Sequence, residues 1–163
     1  CGERGPEVKE YICEPMCDYQ RRACIGSCGI YNHEAPRLSK ENQERLKYIK
    51  PGGNWTDIPD ELLPKGMKRA RKSDHTKRYG RVTPDGLAST ILTKCDPHWG
   101  AYFHYNQDRS FTVREAARLQ SFPDHFIFIG TQGQQFAQVG NAVPPLLAEA
   151  VGLALKSILE EGS

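Results

Sequence analysis

Residues 109–124 read RSFTVREAARLQSFPD, and this stretch decides how the carboxyl-terminal third of the 163-residue chain folds. Thr112 and Glu115 have the spacing of a capping box, in which each side chain accepts a hydrogen bond from the backbone amide of the other residue. The pattern predicts a helix that begins after Thr112 and runs through Gln120. We expect it to end near residues 122–124, where a proline interrupts the helical pattern.

Downstream of this helix, the sequence predicts a strand, a loop and a longer helix. Residues 126–129 are typical of a short buried strand, and residues 130–135 of a flexible polar loop. Pro144 and Pro145 open the last helix. Apolar side chains at helical spacing give that helix a wide apolar face: Leu147, Ala150, Val151, Ala154, Leu155 and Ile158. Such a helix must pack against a larger body.

The chain upstream is less regular. Ser39 can cap a helix over residues 40–50, and residues 54–66 predict irregular chain with apolar side chains turned inward. Residues 87–93 and 101–105 are typical of β-strands. The sequence therefore predicts an α+β fold, in which a small irregular domain with short strands is followed by a helix–strand–helix segment.

Composition excludes some classes of protein. The chain is 38% hydrophobic and 26% charged, which is typical of a soluble globular protein. No apolar run approaches the roughly 18–20 residues of a membrane span, and the first residues do not resemble a signal peptide. We therefore expect a cytoplasmic protein with no membrane partner. The chain does not begin with Met, which suggests a piece of a longer polypeptide.

Two stretches resemble conserved motifs of one enzyme family. Residues 109–124 resemble the ninth conserved motif of DNA (cytosine-5) methyltransferases, and residues 138–145 (QVGNAVPP) resemble their tenth. The two follow each other in the family's order. Shorter likenesses to bacterial members extend the resemblance to about residues 31–159: Asn32-His33, residues 51–55, Tyr79-Gly80-Arg81 and Thr90-Ile91. The first thirty residues match nothing that we can place.

The resemblance implies that this chain is the carboxyl-terminal portion of such an enzyme. Residues 1–30 would form a cysteine-rich segment, and residues 31–111 the target recognition domain that binds DNA. Residues 112–163 would return to complete the α/β catalytic domain. The family's Gly-rich cofactor loop and its Pro-Cys, Glu-Asn-Val and Gln-x-Arg-x-Arg motifs do not occur in the sequence. We therefore expect no catalytic residue here and no methyl transfer by the chain alone.

The resemblance also assigns roles to single residues. Asn141, Ala142 and Val143 would border the methionine part of S-adenosylmethionine, the methyl donor of the complete enzyme. By residue type alone, Asn141 could equally cap a helix or stabilise a loop. Arg114 and Glu115 would be structural anchors that join the recognition domain to the catalytic domain.

A basic run precedes the predicted strands. Residues 65–81 hold eight Lys or Arg side chains against one acidic residue, Asp74. Such a run is usually a solvated face, but the resemblance favours a surface that binds the phosphates of double-stranded DNA. The predicted DNA-binding residues are Lys68, Arg69, Arg71, Lys72, Lys77, Arg78, Arg81 and Thr90. His98 and Trp99 could also contact DNA, but we expect them to be packing residues.

Four cysteines form a C-x3-C-x6-C-x3-C array: Cys13, Cys17, Cys24 and Cys28. Four thiolates can close a tetrahedral zinc site, whose common spacing is C-x2-C rather than C-x3-C. Zinc and ordinary reduced thiols therefore both remain open for this segment.

Two functions remain open for the whole chain, and a third, a zinc-stabilised interaction module, rests only on residues 13–28. The first is a fragment or subunit of a bacterial DNA (cytosine-5) methyltransferase that recognises DNA and partners a missing catalytic half. The isolated chain would then hide its last helix by self-association. The alternative is a stand-alone DNA-binding module without enzymatic activity, which would not need residues 138–145 or an apolar last helix.

Overall fold

The computed structural model describes residues 7–161, so residues 1–6 and 162–163 of the predicted segments lie outside the described residues. The regular elements, in chain order, are β1 (Val8–Lys9), α1 (Asp18–Cys24), β2 (Ile30–Tyr31), α2 (Lys40–Leu46), a 3-10 turn (Trp55–Asp57), α3 (Val113–Leu119), α4 (Gln132–Asn141) and α5 (Pro145–Glu161). β1 and β2 pair antiparallel, with Val8 opposite Tyr31. Helices with one small sheet make the described chain α+β, as predicted.

The first of two hydrophobic cores lies around α3 and α4. Its buried residues are Ile91, Cys95, Tyr102, Phe111, Val113, Ala116, Ala117, Phe122, Phe128, Phe136 and Val139. Phe122, Phe126 and Phe128 contact one another with ring centroids 5.0–5.2 Å apart. This core therefore joins the ninth-motif helix to the helix that leads into the tenth motif.

The second core holds the irregular middle of the chain. It consists of Leu46, Ile49, Trp55, Ile58, Met67, Tyr79 and Phe103. Phe103 is fully buried, and its backbone forms isolated bridges with Arg81 and Ser110. Residues 54–66 contain a single 3-10 turn, so the prediction of irregular chain with inward apolar side chains is confirmed.

The strands predicted at residues 87–93, 101–105 and 126–129 are wrong, because the structure has no strand at these positions. Burial in these stretches is partial: Ile91, Tyr102, Phe103 and Phe128 are buried, but Leu87, Leu92, Phe126, Ile127 and Ile129 are exposed. A buried backbone needs hydrogen-bond partners. In these stretches the partners are largely side chains and isolated β-bridges rather than a neighbouring strand.

The helix starts at Ser39 and Thr112 are confirmed. The Ser39 hydroxyl accepts from the Asn42 amide, and Thr112 forms a complete capping box with Glu115. α2 is shorter than predicted and ends at Leu46. Residues 130–135 are largely the beginning of α4 rather than a loop, because Thr131 and Gln134 form a further capping box.

α5 begins at Pro145 as predicted, and none of its 17 residues is buried. Near its start, the Leu146 amide donates to the Ser121 hydroxyl and Glu149 pairs with Arg22. The large apolar side chains of this helix are 51–72% exposed: Leu147, Val151, Leu153, Leu155, Ile158 and Leu159.

The stretch Gln132–Glu161 is long and apolar enough, by length and composition alone, to cross a membrane. This finding differs from the prediction that no apolar run has that length. The stretch is not one straight helix, because residues 142–144 separate α4 from α5. Phe136 and Val139 of α4 are buried in the first core, whereas no residue of α5 is buried.

Candidate functional site

A charged cluster fixes the N-terminus of α3. Arg109 donates two hydrogen bonds to the Glu115 carboxylate, at 2.7 and 2.8 Å, and the Thr112 amide donates a third at 2.8 Å. Burial by itself would raise the pKa of Glu115, but these donors outweigh it and lower the pKa. Glu115 is therefore an ionised structural residue, and its carboxylate is engaged by Arg109 and the helix cap.

Arg114 connects α3 to two other parts of the chain. Its side chain is fully buried and donates to the carbonyl oxygens of Tyr31 at 2.9 Å, Pro123 at 3.2 Å and Phe126 at 2.6 Å. The guanidinium also lies over the Phe128 ring, 5.7 Å from its centroid. Arg114 thus anchors the ninth-motif helix to β2 and to the chain that follows α3.

Asp124 anchors the cysteine-rich segment to the same region. It is fully buried and accepts from Arg118 at 2.6 and 2.9 Å and from the Tyr11 hydroxyl at 2.8 Å. Its own amide donates to the Ala23 carbonyl at 2.7 Å. Burial opposes ionisation, but the bonds from Arg118 and Tyr11 lower the pKa of Asp124. An ionised aspartate therefore holds the first part of the chain against α3.

Asn32 and His33, which carried part of the resemblance, have structural contacts here. The Asn32 side-chain amide pairs with the Phe128 backbone in both directions, at 2.9 and 3.0 Å. Asn32 has a φ of 59°, a left-handed conformation that asparagine tolerates better than most residues. His33 Nδ1 lies 3.0 Å from the Thr112 hydroxyl. Both residues dock the chain after β2 onto the ninth-motif region.

Tyr102 holds the segment that carries Thr90. Its buried hydroxyl donates to the Thr90 carbonyl at 2.8 Å and accepts from the Leu92 amide at 3.1 Å. Burial raises the pKa of Tyr102, so the hydroxyl keeps its proton. A Cβ at Gly140 would lie 2.5 Å from the Thr93 nitrogen, so only glycine lets α4 approach this segment so closely. Thr90 itself is exposed.

The proposed cofactor residues lie just past this contact, between α4 and α5. Asn141 and Val143 are exposed, whereas Ala142 packs against the first core. The junction joins two helices, α4 and α5. The exposed amide and isopropyl groups suit a small polar ligand with an aliphatic part, so the residues fit one edge of an S-adenosylmethionine site.

The basic run follows a turn-rich path over the second core. Met67 and Tyr79 are buried, and the Trp55 indole donates to the Asp74 carbonyl at 3.1 Å. These contacts leave five of the predicted DNA-binding residues exposed: Lys68, Arg69, Arg71, Lys72 and Lys77. Arg78 is half-buried.

Arg81 differs from the other basic residues of the run. It is 9% exposed and donates to Asp108 at 2.7 Å and to the Leu46 carbonyl at 3.2 Å. A cation held in this way cannot reach a phosphate. Its predicted DNA contact is therefore corrected to a structural role, in which Arg81 links α2 to the chain before α3.

The cysteine array does not form a metal centre in the described part of the chain. No group of three or more His, Cys, Asp or Glu side chains within residues 7–161 could hold a metal ion. Cys13, Cys17 and Cys28 are exposed, and the Cys24 thiol lies 3.6 Å from Asp124. The predicted zinc site is therefore not supported, and Asp124 and the β1–β2 pairing hold this segment instead.

Comparison with known proteins identifies the family. The model of the C-5 cytosine-specific DNA methylase family matches residues 8–157. The chain belongs to this family. The match includes residues 8–30, which the motifs alone could not place.

Several methyltransferases are similar to this chain in sequence. Type II methyltransferase M1.HphI of Haemophilus parahaemolyticus is 42% identical over 77% of this chain and 31% of its own length. Type II methylase M.HgiDII of Herpetosiphon aurantiacus is 37% identical, over 78% of this chain and 38% of its own. DNA (cytosine-5)-methyltransferase 2 of Arabidopsis thaliana is 36% identical over 93% of this chain and 11% of its own. The chain thus spans between about a tenth and two fifths of these relatives.

Sequence reasoning missed two structural residues of this methylase chain. Tyr102 was assigned only to a strand, and nothing in its local pattern indicates a bond to Thr90. Asp124 was treated only as the end of a helix. Its position six residues after Arg118, next to a proline, could have indicated an ion pair with Arg118. The second partner, Tyr11, lies 113 residues away and could not be inferred from local sequence.

Proposed function

We propose that this chain is the carboxyl-terminal portion of a DNA (cytosine-5) methyltransferase, which binds the DNA target and forms one edge of the S-adenosylmethionine site. One observation carries the proposal: the family match covers nearly the whole chain, but the sequence contains no Pro-Cys nucleophile motif. In such methylation a cysteine thiolate attacks C6 of a flipped cytosine, and C5 then takes the methyl group.

The chemistry of Cys95 supports a nucleophile outside this chain. Cys95 is buried, and desolvation raises the pKa of its thiol to about 12. Since the thiolate is the nucleophilic form, Cys95 is inert at neutral pH. A catalytic half with the upstream motifs would supply the nucleophile.

The exposed face of α5 supports the same conclusion. Each large apolar side chain left in water forgoes about 1.5–3 kcal/mol of burial. A catalytic domain packed on α5 would recover that energy and would bring residues 141–143 next to its own cofactor residues. A stand-alone DNA-binding module has no use for this face, and the alternative function is therefore less well supported.

S-adenosylmethionine supplies the methyl group when it is bound. The Asn141 side chain would donate a hydrogen bond to the polar amino-acid end of S-adenosylmethionine or accept one from it. Val143 would cover the aliphatic part of the cofactor. Gly140 positions both residues by letting α4 pack against Leu92 and Thr93. The same contact connects this edge to Thr90, which would contact a DNA phosphate.

Methyl transfer tests the proposal. The pure chain should incorporate no label into DNA from methyl-labelled S-adenosylmethionine, and a polypeptide with the upstream motifs should be inactive alone. Mixing the two should restore incorporation, and Gly140→Leu should weaken that restoration because its side chain would collide with the Leu92–Thr93 backbone. Robust incorporation by the chain alone would contradict the proposal.

DNA binding tests the other half of the proposal. Arg69→Ala/Arg71→Ala/Lys72→Ala should weaken duplex binding and reduce the slope of log K against log salt by up to about 2.7, at 0.9 per phosphate contact. A matched control removes three positive charges elsewhere: Arg21→Ala/Arg22→Ala/Lys156→Ala. Equal slopes for the two triple variants would exclude the basic run from the interface.

A further inference from the structure

Arg78 and Trp99 form an unusual pair at the end of the basic run. The Arg78 guanidinium lies over the Trp99 ring, 5.1 Å from its centroid, and Trp99 is 48% exposed. Within residues 7–161 the guanidinium has no hydrogen bond or ion pair to a protein acceptor. By contrast, Arg81, Arg109 and Arg118 are each paired with a carboxylate.

Neighbouring residues support the pair. His98 meets the Trp99 ring edge-on, at 5.2 Å, and His98 Nδ1 lies 3.0 Å from the hydroxyl of the buried Tyr79. The Trp99 amide donates to the Asp96 carbonyl, and the Arg78 amide to the His75 carbonyl. Both side chains therefore extend from hydrogen-bonded backbone and contact each other, which lowers the conformational cost of ordering them when a ligand binds.

The chemistry of the pair selects its ligand. A guanidinium presents a planar fork of donors, and an aromatic ring beneath it fixes the plane of that fork. In the major groove of DNA, guanine offers O6 and N7 as two acceptors side by side, which a guanidinium fork can bind together. A phosphate would accept the same fork, but it would make no use of the exposed indole beside it.

We propose that Arg78 and Trp99 form a base-reading pair, in which Arg78 binds O6 and N7 of a guanine and Trp99 packs against the neighbouring base pair in the major groove. The proposal rests on the proposed function, since it requires that the chain bind double-stranded DNA. It separates Arg78 from the exposed basic residues of the run, which would contact phosphates. It also changes the expected role of Trp99 from packing to recognition.

Tryptophan emission tests the contact directly, because the chain has only two tryptophans and Trp55 is 3% exposed. Duplex DNA of randomised sequence is added at low salt, and its fluorescent label reports binding by anisotropy. Emission from Trp99 should change and become protected from acrylamide quenching as DNA binds, and Trp99→Phe should abolish that change. Binding with unaltered Trp99 emission and quenching would overturn the inference and leave the proposed function standing. Absence of binding at low salt would overturn both.

Sequence selection tests the role of Arg78. Duplexes with a randomised centre are bound to the chain, and the retained pool is sequenced. The wild-type pool should be enriched in guanine at one position, and Arg78→Lys should reduce that preference about 5- to 150-fold, as expected for a lost bidentate contact. Arg21→Lys, at an exposed arginine outside the basic run, is the matched control and should leave the preference unchanged. A wild-type pool without an enriched guanine, or equal enrichment by Arg78→Lys, would overturn the inference.

Discussion

Replacement of Arg114 should destabilise the chain more than almost any other single substitution. The wild-type side chain satisfies three backbone carbonyls, those of Tyr31, Pro123 and Phe126, without any exposure to water. Hydrogen bonds from a charged donor contribute about 1.5–3 kcal/mol each. Arg114→Ala should therefore cost about 4–9 kcal/mol, which is comparable to the whole stability of about 5–15 kcal/mol expected for a domain.

Arg114→Lys tests the same reasoning with a milder change. An ammonium group can reach one carbonyl and leaves two unsatisfied, at about 1–3 kcal/mol each, so we expect a loss of about 2–6 kcal/mol. Guanidinium chloride titrations followed by circular dichroism would measure it. Arg21→Lys is the control, because Arg21 lies in an exposed ion pair with Asp18 and should change stability by less than about 1 kcal/mol. An Arg114→Lys variant as stable as that control would refute the reasoning.

Three other outcomes are expected. Tyr102→Phe should cost about 1–3 kcal/mol and speed hydrogen exchange at the Leu92 amide, because both bonds of the hydroxyl are lost; unchanged exchange would argue against the role of Tyr102. The average molecular mass of the chain, measured by light scattering, should rise above that of a monomer as concentration increases. Leu147→Glu/Leu155→Glu should restore the monomer mass. A wild-type chain that stays monomeric at every concentration would contradict this expectation. Burial lowers the pKa of His33 and His104 below 6.5, so the unfolded chain binds more protons. The free energy of unfolding should then fall as the pH drops below about 6.5, and His33→Gln/His104→Gln should flatten that dependence in denaturant titrations at pH 7.5 and 5.5.

The features that the sequence predicted well are those that depend on near neighbours. The capping box of Thr112 and Glu115 is complete within four residues, and the start of α5 follows from two adjacent prolines. The apolar run 126–129 predicted burial, but only Phe128 is buried, and Phe126, Ile127 and Ile129 are exposed.

The features that were missed depend on distant partners. An apolar run predicts a strand only if another strand pairs with it, but the Phe128 backbone pairs with the Asn32 side chain, 96 residues away. Arg81 was assigned to DNA by its place in a basic run, and only the fold reveals Asp108 as its partner. The candidate base-reading pair was missed for the same reason, because Arg78 and Trp99 meet across 21 residues of irregular chain.

The pairing of Asn32 with Phe128 also constrains how this chain can be made. At about 5–20 residues per second, a ribosome needs roughly 5–20 s to add the 96 residues between them. For most of that time, the contacts of Tyr11 with Asp124 and of Tyr31 with Arg114 cannot form, because their partners have not been synthesised. A chain dominated by such remote contacts folds slowly once complete. We therefore expect the amino-terminal segment, with its exposed apolar residues and free thiols, to be the part most dependent on chaperones during synthesis.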